Sequence, residues 1–270
     1  VSARLPLGSD GIALGAQPLF HGGHKRAVLL LHGFGDTPQS LAHLAGRLRD
    51  AGWTVSAPLL PGHGRTLKEF NGSMASDWRR HAAHALNELT ARYTPVVVCG
   101  QSMGAAVAVD LAVTQRCDAL ALLAPYIAMP RSGDAVAASW PIIELAYPVI
   151  RIRDERSIQD ADAGAQSLAY GYTTPRLVRE LRAVVRRAQR QLPAVRTPTL
   201  VVHSREDNRV PPQAVQSAVE RIGGAAKALH WMTGCGHVLT ADYCKDAVAS
   251  LVVDWFEQCT THEGAATEAR

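Results

Sequence analysis

The sequence predicts an α/β fold: a mostly parallel central sheet flanked by helices, with a small helical cap insertion. Three observations predict it. Short apolar, β-branched runs alternate with longer segments of helical spacing, the pattern written by parallel strands joined through crossover helices. One such run opens directly onto Gly100-Gln101-Ser102-Met103-Gly104 and then onto a second, helix-like apolar run. Between residues 125 and 197 the alternation lapses into a proline-bearing stretch without a convincing core strand.

Taken in order, the first twenty residues carry Gly8, Gly11 and Gly15 and read as a turn-rich pair of edge strands. Strands are predicted at residues 28–31, 55–57, 96–99, 119–124, 199–202 and 228–232, each of strand length and rich in Val, Leu or Ala. Between them Leu41, Leu44, Ala45 and Leu48 recur at helical spacing, as do Trp78, Ala82, Ala85, Leu86 and Leu89, and a third helix covers 105–113. Later helices are predicted at 213–222, started by Pro211-Pro212, and at 242–256. The resulting division is a core of residues 1–124 and 198–260, a helical cap at 125–197 and a flexible tail at 261–270. No internal repeat or low-complexity tract is visible.

The composition excludes several classes. Of 270 residues, 47% are hydrophobic and 19% charged, which places the chain among globular proteins rather than disordered or fibrous ones. A net charge of +4 is too small to be a nucleic-acid footprint, so no nucleic-acid partner is expected. The longest strongly apolar run before the first motif, AVLLL, is far too short to span a bilayer. A cytoplasmic location is the expectation, left open because the chain begins at Val1, where a signal or anchor removed earlier would leave no trace. Five cysteines without a Cys-x-x-Cys pair give neither a disulfide framework nor a zinc site. They are read as buried, idle thiols, Cys235 included.

The chemistry concentrates around Ser102. Glycines two positions either side of it permit a sharp strand-to-helix turn that holds the hydroxyl above the sheet. A serine hydroxyl is a poor nucleophile unless a base takes its proton, and the base needs an orienting acid. After the strand TLVVHS comes Arg205-Glu206-Asp207-Asn208-Arg209-Val210-Pro211, and after ALHWM comes Thr233-Gly234-Cys235-Gly236-His237-Val238. The order Ser, Asp, His is the one α/β-hydrolases use, unlike the other well-known serine triads. Glu206 is the rival acid.

With these motifs in place the sequence resembles the α/β-hydrolase superfamily over essentially its whole length, and within it the small capped bacterial carboxylesterases and monoacylglycerol-lipase-like serine hydrolases. Two further motifs match: Leu31-His32-Gly33-Phe34-Gly35-Asp36 and Gly62-His63-Gly64. The resemblance implies Ser102 as nucleophile, His237 as base, Asp207 as acid, and the backbone N–H groups of Phe34 and Met103 as the oxyanion hole. It implies no metal and no cofactor. Gln101, at the variable position of the turn, is not expected to disturb the triad. His32 and His63 are read as shaping their loops through local hydrogen bonds, and His81 and His84 as helix-surface residues lacking a third metal ligand.

The cap supplies apolar side chains, among which Trp140, Ile143 and Tyr147, with Val238 beside the base, are candidates for the acyl pocket. Its second half places Arg179, Arg182, Arg186 and Arg190 on one helical face, a basic stripe that would bring the cap weakly toward anionic lipid. The function implied is hydrolysis of carboxylic esters, on short to medium acyl esters or monoacylglycerols, through an acyl-enzyme. A thioesterase, a carbon–carbon bond hydrolase and a cofactor-free haloperoxidase would share the same triad, and a non-catalytic binding module is the rival from another class. The partner expected is a small-molecule ester; oligomeric state is not legible.

Overall fold

The computed structural model describes residues 6–152, 157–224 and 226–267. After an antiparallel bridge between Leu7 and Ala13 the elements run β1 (Leu19–His21), β2 (Arg26–Leu31), α1 (Ala42–Asp50), β3 (Trp53–Ala57), α2 (Leu67–Gly72), α3 (Ala75–Thr90), β4 (Val96–Gln101), α4 (Met103–Thr114) and β5 (Leu120–Leu123). The chain then leaves the sheet for α5 (Arg131–Ala138), α6 (Trp140–Ala146), β6 (Ile150–Arg151), α7 (Ala161–Gln166), β7 (Tyr172–Thr173) and α8 (Pro175–Gln191). It returns through β8 (Thr199–Ser204), α9 (Pro212–Arg221), β9 (Lys227–Met232) and α10 (Lys245–Thr267).

Seven strands form one sheet in the order β1-β3-β2-β4-β5-β8-β9, parallel throughout except for β1 at the edge. β4, the strand that leads into Ser102, lies fourth of the seven and is buried along its whole length. Successive side chains of a strand point to opposite faces, and both faces here are covered. Ala27, Leu29 and Leu31 of β2 join Val96 and Val98 of β4 under α3, α4 and α8, whereas Val28 and Leu30 join Val97 and Cys99 under α1 and α10. Two-sided burial explains why these strands read as unbroken apolar runs rather than as alternation. Each Val or Leu removed from water contributes about 1.5–3 kcal/mol.

α8 is amphipathic: Leu177, Leu181, Val184, Val185 and Ala188 are buried in the same core that holds α4. Of the four arginines of its basic face, Arg179, Arg182 and Arg186 have partners within the molecule. Arg182 Nε is 2.6 Å from Asp134 Oδ1, the Arg179 guanidinium lies 5.4 Å from the Trp140 ring centroid, and Arg187 reaches the buried Asp110, which also takes Arg79. The segment between β5 and β8 also holds a two-stranded antiparallel pair, β6 with β7, which composition alone did not suggest.

Two sequence expectations need correction. Cys235 is not a free thiol: it is bonded to Cys244, across a separation of nine residues, while Cys99, Cys117 and Cys259 are free. Without a recognisable spacing the pair was invisible until the fold closed the loop. The last helix begins at Lys245 rather than 242, because the Asp242 carboxylate is consumed by backbone N–H groups of the preceding loop and the cap. That helix continues to Thr267, into the stretch expected as a flexible tail, whose residues 268–270 lie outside the described residues. No helix among the described residues is long and apolar enough to cross a membrane.

Candidate active site

β4 ends at Gln101 and α4 starts at Met103, so the whole reversal of direction falls on Ser102, whose φ of 57° and ψ of −116° are strained for a residue with a Cβ. The flanking glycines are required by contact, not by flexibility. A Cβ on Gly100 would overlap the Gly104 carbonyl, and one on Gly104 would overlap the carbonyl of Leu31 at the end of β2. The turn is thereby pressed between its own helix and the neighbouring strand, with Ser102 at the carboxyl end of the sheet.

Asp207 follows β8, and His237 follows β9. His237 Nε2 lies 2.7 Å from Ser102 Oγ and His237 Nδ1 2.7 Å from Asp207 Oδ2. A carboxylate only accepts, so Nδ1 carries the proton and Nε2 is left with its lone pair toward the serine hydroxyl. Asp207 Oδ1 accepts the N–H groups of Arg209 at 2.7 Å and Val210 at 2.9 Å, which fixes the carboxylate plane. Burial alone would raise this carboxyl, but the His237 hydrogen bond and charge, with His203 and the Val210 N–H, hold it below its ordinary value. The neighbouring Glu206 accepts from Ser204 Oγ at 3.0 Å, and no hydrogen bond or ion pair joins it to His237.

On the other side of Ser102 runs the loop after β2. His32 sets its course: Leu60 N–H donates to His32 Nε2 at 3.0 Å, so Nδ1–H donates to the Gly33 carbonyl at 2.9 Å. Burial pushes this imidazole down to about 4, consistent with a neutral ring. His63 packs edge-on against it at 4.9 Å and is likewise held well below its usual value by burial. Phe34 lines the cavity and packs on Phe70 and Trp78, while Met103 is the first residue of α4, where the N–H has no partner inside the helix. The Asp36 carboxylate accepts the Thr37 N–H at 2.8 Å and the Ser40 hydroxyl at 2.6 Å at the start of the turn that follows. Burial pushes its carboxyl up to about 6.

Ser102 and His237 open into a cavity of about 930 Å³. Its apolar wall comes from Met129, Val136, Ile150, Ile152, Val178 and Leu181, with Val238 beside the histidine and Tyr126 edge-on to it at 6.3 Å. Of the pocket residues expected from sequence, only Val238 lines this space. Trp140, Ile143 and Tyr147 do not: α6 buries none of its residues, Trp140 is covered by Arg179, and Tyr147 is 67% exposed. A seven-residue helix has too few turns for its sequence to say which face turns inward, and the wall is built from α5, β6 and α8 instead.

Sequence reasoning passed over Gln101. Its buried side chain donates from Nε2 to the His237 carbonyl at 2.9 Å, tying the serine turn to the histidine loop. It also passed over Tyr170, whose hydroxyl bonds Gly62 and Arg65 and so docks the cap on the Gly-His-Gly loop. Neither carries a local signal, since both partners are main-chain groups far away in sequence.

Residues 22–243 match the Hydrolase_4 family, described as serine aminopeptidase, S33. The chain belongs to this family. This α/β-hydrolase is 27% identical, over 90% of its own length and 94% of the other's, to a thermostable monoacylglycerol lipase of Bacillus sp. (strain H-257). It is 24% identical to a carboxylesterase of Bacillus subtilis (strain 168), over 88% of its length and 95% of that protein's. A structure reported for the metagenome-derived lipolytic enzymes LipS and LipT superposes with a TM-score of 0.83 at 30% identity, covering 90% of this chain and 98% of that one. A soluble variant of monoglyceride lipase from Saccharomyces cerevisiae shares the fold, with a TM-score of 0.73 at 16% identity over 90% of this chain and 91% of that one. The chain is thus an esterase-type serine hydrolase, of the carboxylesterase and monoacylglycerol-lipase-like kind.

Proposed function

We propose that the protein hydrolyses carboxylic esters with a short to medium acyl chain, monoacylglycerols among them, through an acyl-enzyme on Ser102. The observation that carries this reading is the unbroken hydrogen-bonded row from Ser102 Oγ through His237 to Asp207, opening into a largely apolar cavity. His237 Nε2 takes the hydroxyl proton as Oγ attacks the ester carbonyl carbon. The negative charge that develops on the carbonyl oxygen is met by the N–H groups of Phe34 and Met103. The C–O bond then breaks, the imidazolium returns its proton to the departing alcohol, and water repeats the sequence to release the acid. Asp207 stays ionised throughout and stabilises the imidazolium. Each step closes on this chain's own groups, so no metal or cofactor is required.

The two curated relatives, a monoacylglycerol lipase and a carboxylesterase, support the same substrate class. A peptide-bond substrate, which the family's description would suggest, lacks a comparable feature: Asp36, a carboxyl lining the cavity, is already occupied by the Thr37 N–H and the Ser40 hydroxyl. The test is a set of initial rates on p-nitrophenyl esters of graded acyl length, with a monoacylglycerol, an acyl thioester and an aminoacyl anilide alongside. Esters should be turned over well above the anilide, with an optimum at intermediate chain length. Preference for the thioester or the anilide would overturn the substrate assignment.

A further inference from the structure

Asp242 stands between β9 and α10, five residues after His237, and is fully buried. Its charge is met by four backbone amides. Oδ2 accepts from Gly236 N at 2.7 Å and Gln159 N at 2.8 Å, and Oδ1 from Asp160 N at 2.9 Å and Tyr243 N at 2.8 Å. A buried carboxylate that lost these donors would be strongly destabilising, so the four amides are held where the carboxylate needs them.

The location of those amides is what gives Asp242 more than a folding role. Gly236 immediately precedes His237, whereas Gln159 and Asp160 belong to the segment whose Ser157, Ile158 and Gln159 form part of the cavity wall. The same two stretches meet again where Val238 N–H donates to the Ser157 carbonyl at 2.9 Å. Between these contacts the His237 carbonyl accepts from Gln101 of the serine turn. Residues 236, 237 and 238 are therefore each pinned to a different partner, and the disulfide Cys235–Cys244 closes the loop around them.

We propose that Asp242 is a positioning residue for the base: it fixes the main chain beside His237 and ties it to the 157–160 wall, so that one carboxylate sets both the reach of the imidazole to Ser102 and the near wall of the acyl cavity. This rests on His237 being the base. A misplacement of a reacting group by about 1 Å can cost about 10²-fold in rate, which is the scale expected here. In Asp242→Asn one acceptor becomes an NH₂ group facing two N–H donors, so the clamp fails on one edge while the side chain keeps its size.

The experiment follows the second-order rate of fluorophosphonate labelling of Ser102 against pH, with thermal unfolding recorded in parallel, for the wild type, Asp242→Asn and Asp242→Ala. Labelling needs the activated serine but no particular ester. The variants should label about 10²-fold more slowly, with a displaced acidic limb, in the protein that remains folded. Wild-type rate and limb in a folded but less stable variant would overturn the proposal, leaving Asp242 a structural clamp.

Should both variants fail to fold, a milder pair decides. Asp160→Pro removes one N–H at a residue whose φ of −67° suits proline, and Asp160→Ala keeps that N–H while losing the same side chain. The proline variant should label several-fold more slowly than the alanine variant and lose more rate on long-chain than on short-chain esters. Equal behaviour of the two would overturn the link between wall and base. A wild type that is labelled yet hydrolyses no ester sinks the substrate assignment alone, whereas one that resists the probe removes the ground on which this inference stands.

Discussion

The turn around Ser102 and the helix α6 are both short, both border the cap side of the molecule, and behave as opposites. In the turn three residues are dictated by contacts: Gly100 by the Gly104 carbonyl, Gly104 by the Leu31 carbonyl, Gln101 by the His237 carbonyl. In α6 no residue is buried, and Ile142 and Leu145 are 74% and 87% exposed. Where the backbone itself is crowded, the sequence has almost no freedom and its pattern is diagnostic. Where a short helix lies over the outside, the same apolar composition fits several orientations.

The largest effect should fall on the turn side. Ser102→Ala is expected to lower ester turnover by roughly 10⁶-fold and abolish fluorophosphonate labelling without changing the unfolding temperature appreciably. Asp207→Asn should lower kcat by about 10⁴-fold through loss of the imidazole tautomer, and Glu206→Gln should stay close to wild type. Labelled peptide carrying Ser73 or Ser204, or a reversal of the two acid variants, would contradict the geometry.

Next in size comes the crowding itself. Gly104→Ala places a methyl group into the Leu31 carbonyl, so β2 and the turn must part, and a loss of more than about 4 kcal/mol is expected by urea unfolding. Ala at Gly46 or Gly72, where a Cβ meets nothing within 4 Å, should cost nothing of that order. If Gly104→Ala is tolerated like those two, the contrast between crowded and open positions fails.

A third comparison sets two buried groups of the loop after β2 against each other. His32 falls from 6.5 to about 4 on folding, so below pH 6.5 the unfolded chain binds the extra proton and stability drops by about 3 kcal/mol as pH falls to 4. Asp36 rises from 3.8 to about 6, so over the same window the folded chain binds the extra proton and stability grows by about 2 kcal/mol. The two contributions oppose, and Asp36→Asn should leave His32 uncompensated. Urea midpoints measured from pH 7 to 4 should fall more steeply in that variant; parallel curves would reject the assignment.

The smallest effects belong to α6 and the turn after it. Trp140→Ala and Tyr147→Ala should leave kcat/KM on short esters within about twofold of wild type, as expected for side chains away from the reacting groups. Met129→Ala and Ile152→Ala, which enlarge the cavity, should instead move the chain-length optimum. A strong loss with Trp140 or Tyr147 would restore them to the pocket.

These contrasts also explain how much could be read in advance. The parallel sheet was legible because two-sided burial writes apolar runs such as residues 27–31 and 96–99, and the row Ser102–His237–Asp207 because each member follows a strand in a motif of fixed order. The rest depends on pairing across the fold. Asp242, Gln101, Tyr170 and the partner of Cys235 act on main chain or sulfur remote from themselves, and nothing in their local neighbours announces it. The cavity wall was misplaced for a related reason: α6 packs against α8, whose Arg182 and Arg179 reach Asp134 and Trp140, and no residue of α6 lines the cavity.

The bond between Cys235 and Cys244 gives the histidine loop a different topology from the rest of the chain: together with the backbone it forms a small macrocycle, and His237 lies on its rim. A protease cut anywhere between the two sulfurs therefore opens a ring and does not divide the polypeptide. Such a nicked enzyme would migrate as one intact chain without reductant and as two fragments with it, whereas a cut in any segment outside the ring separates the fragments at once under denaturing conditions.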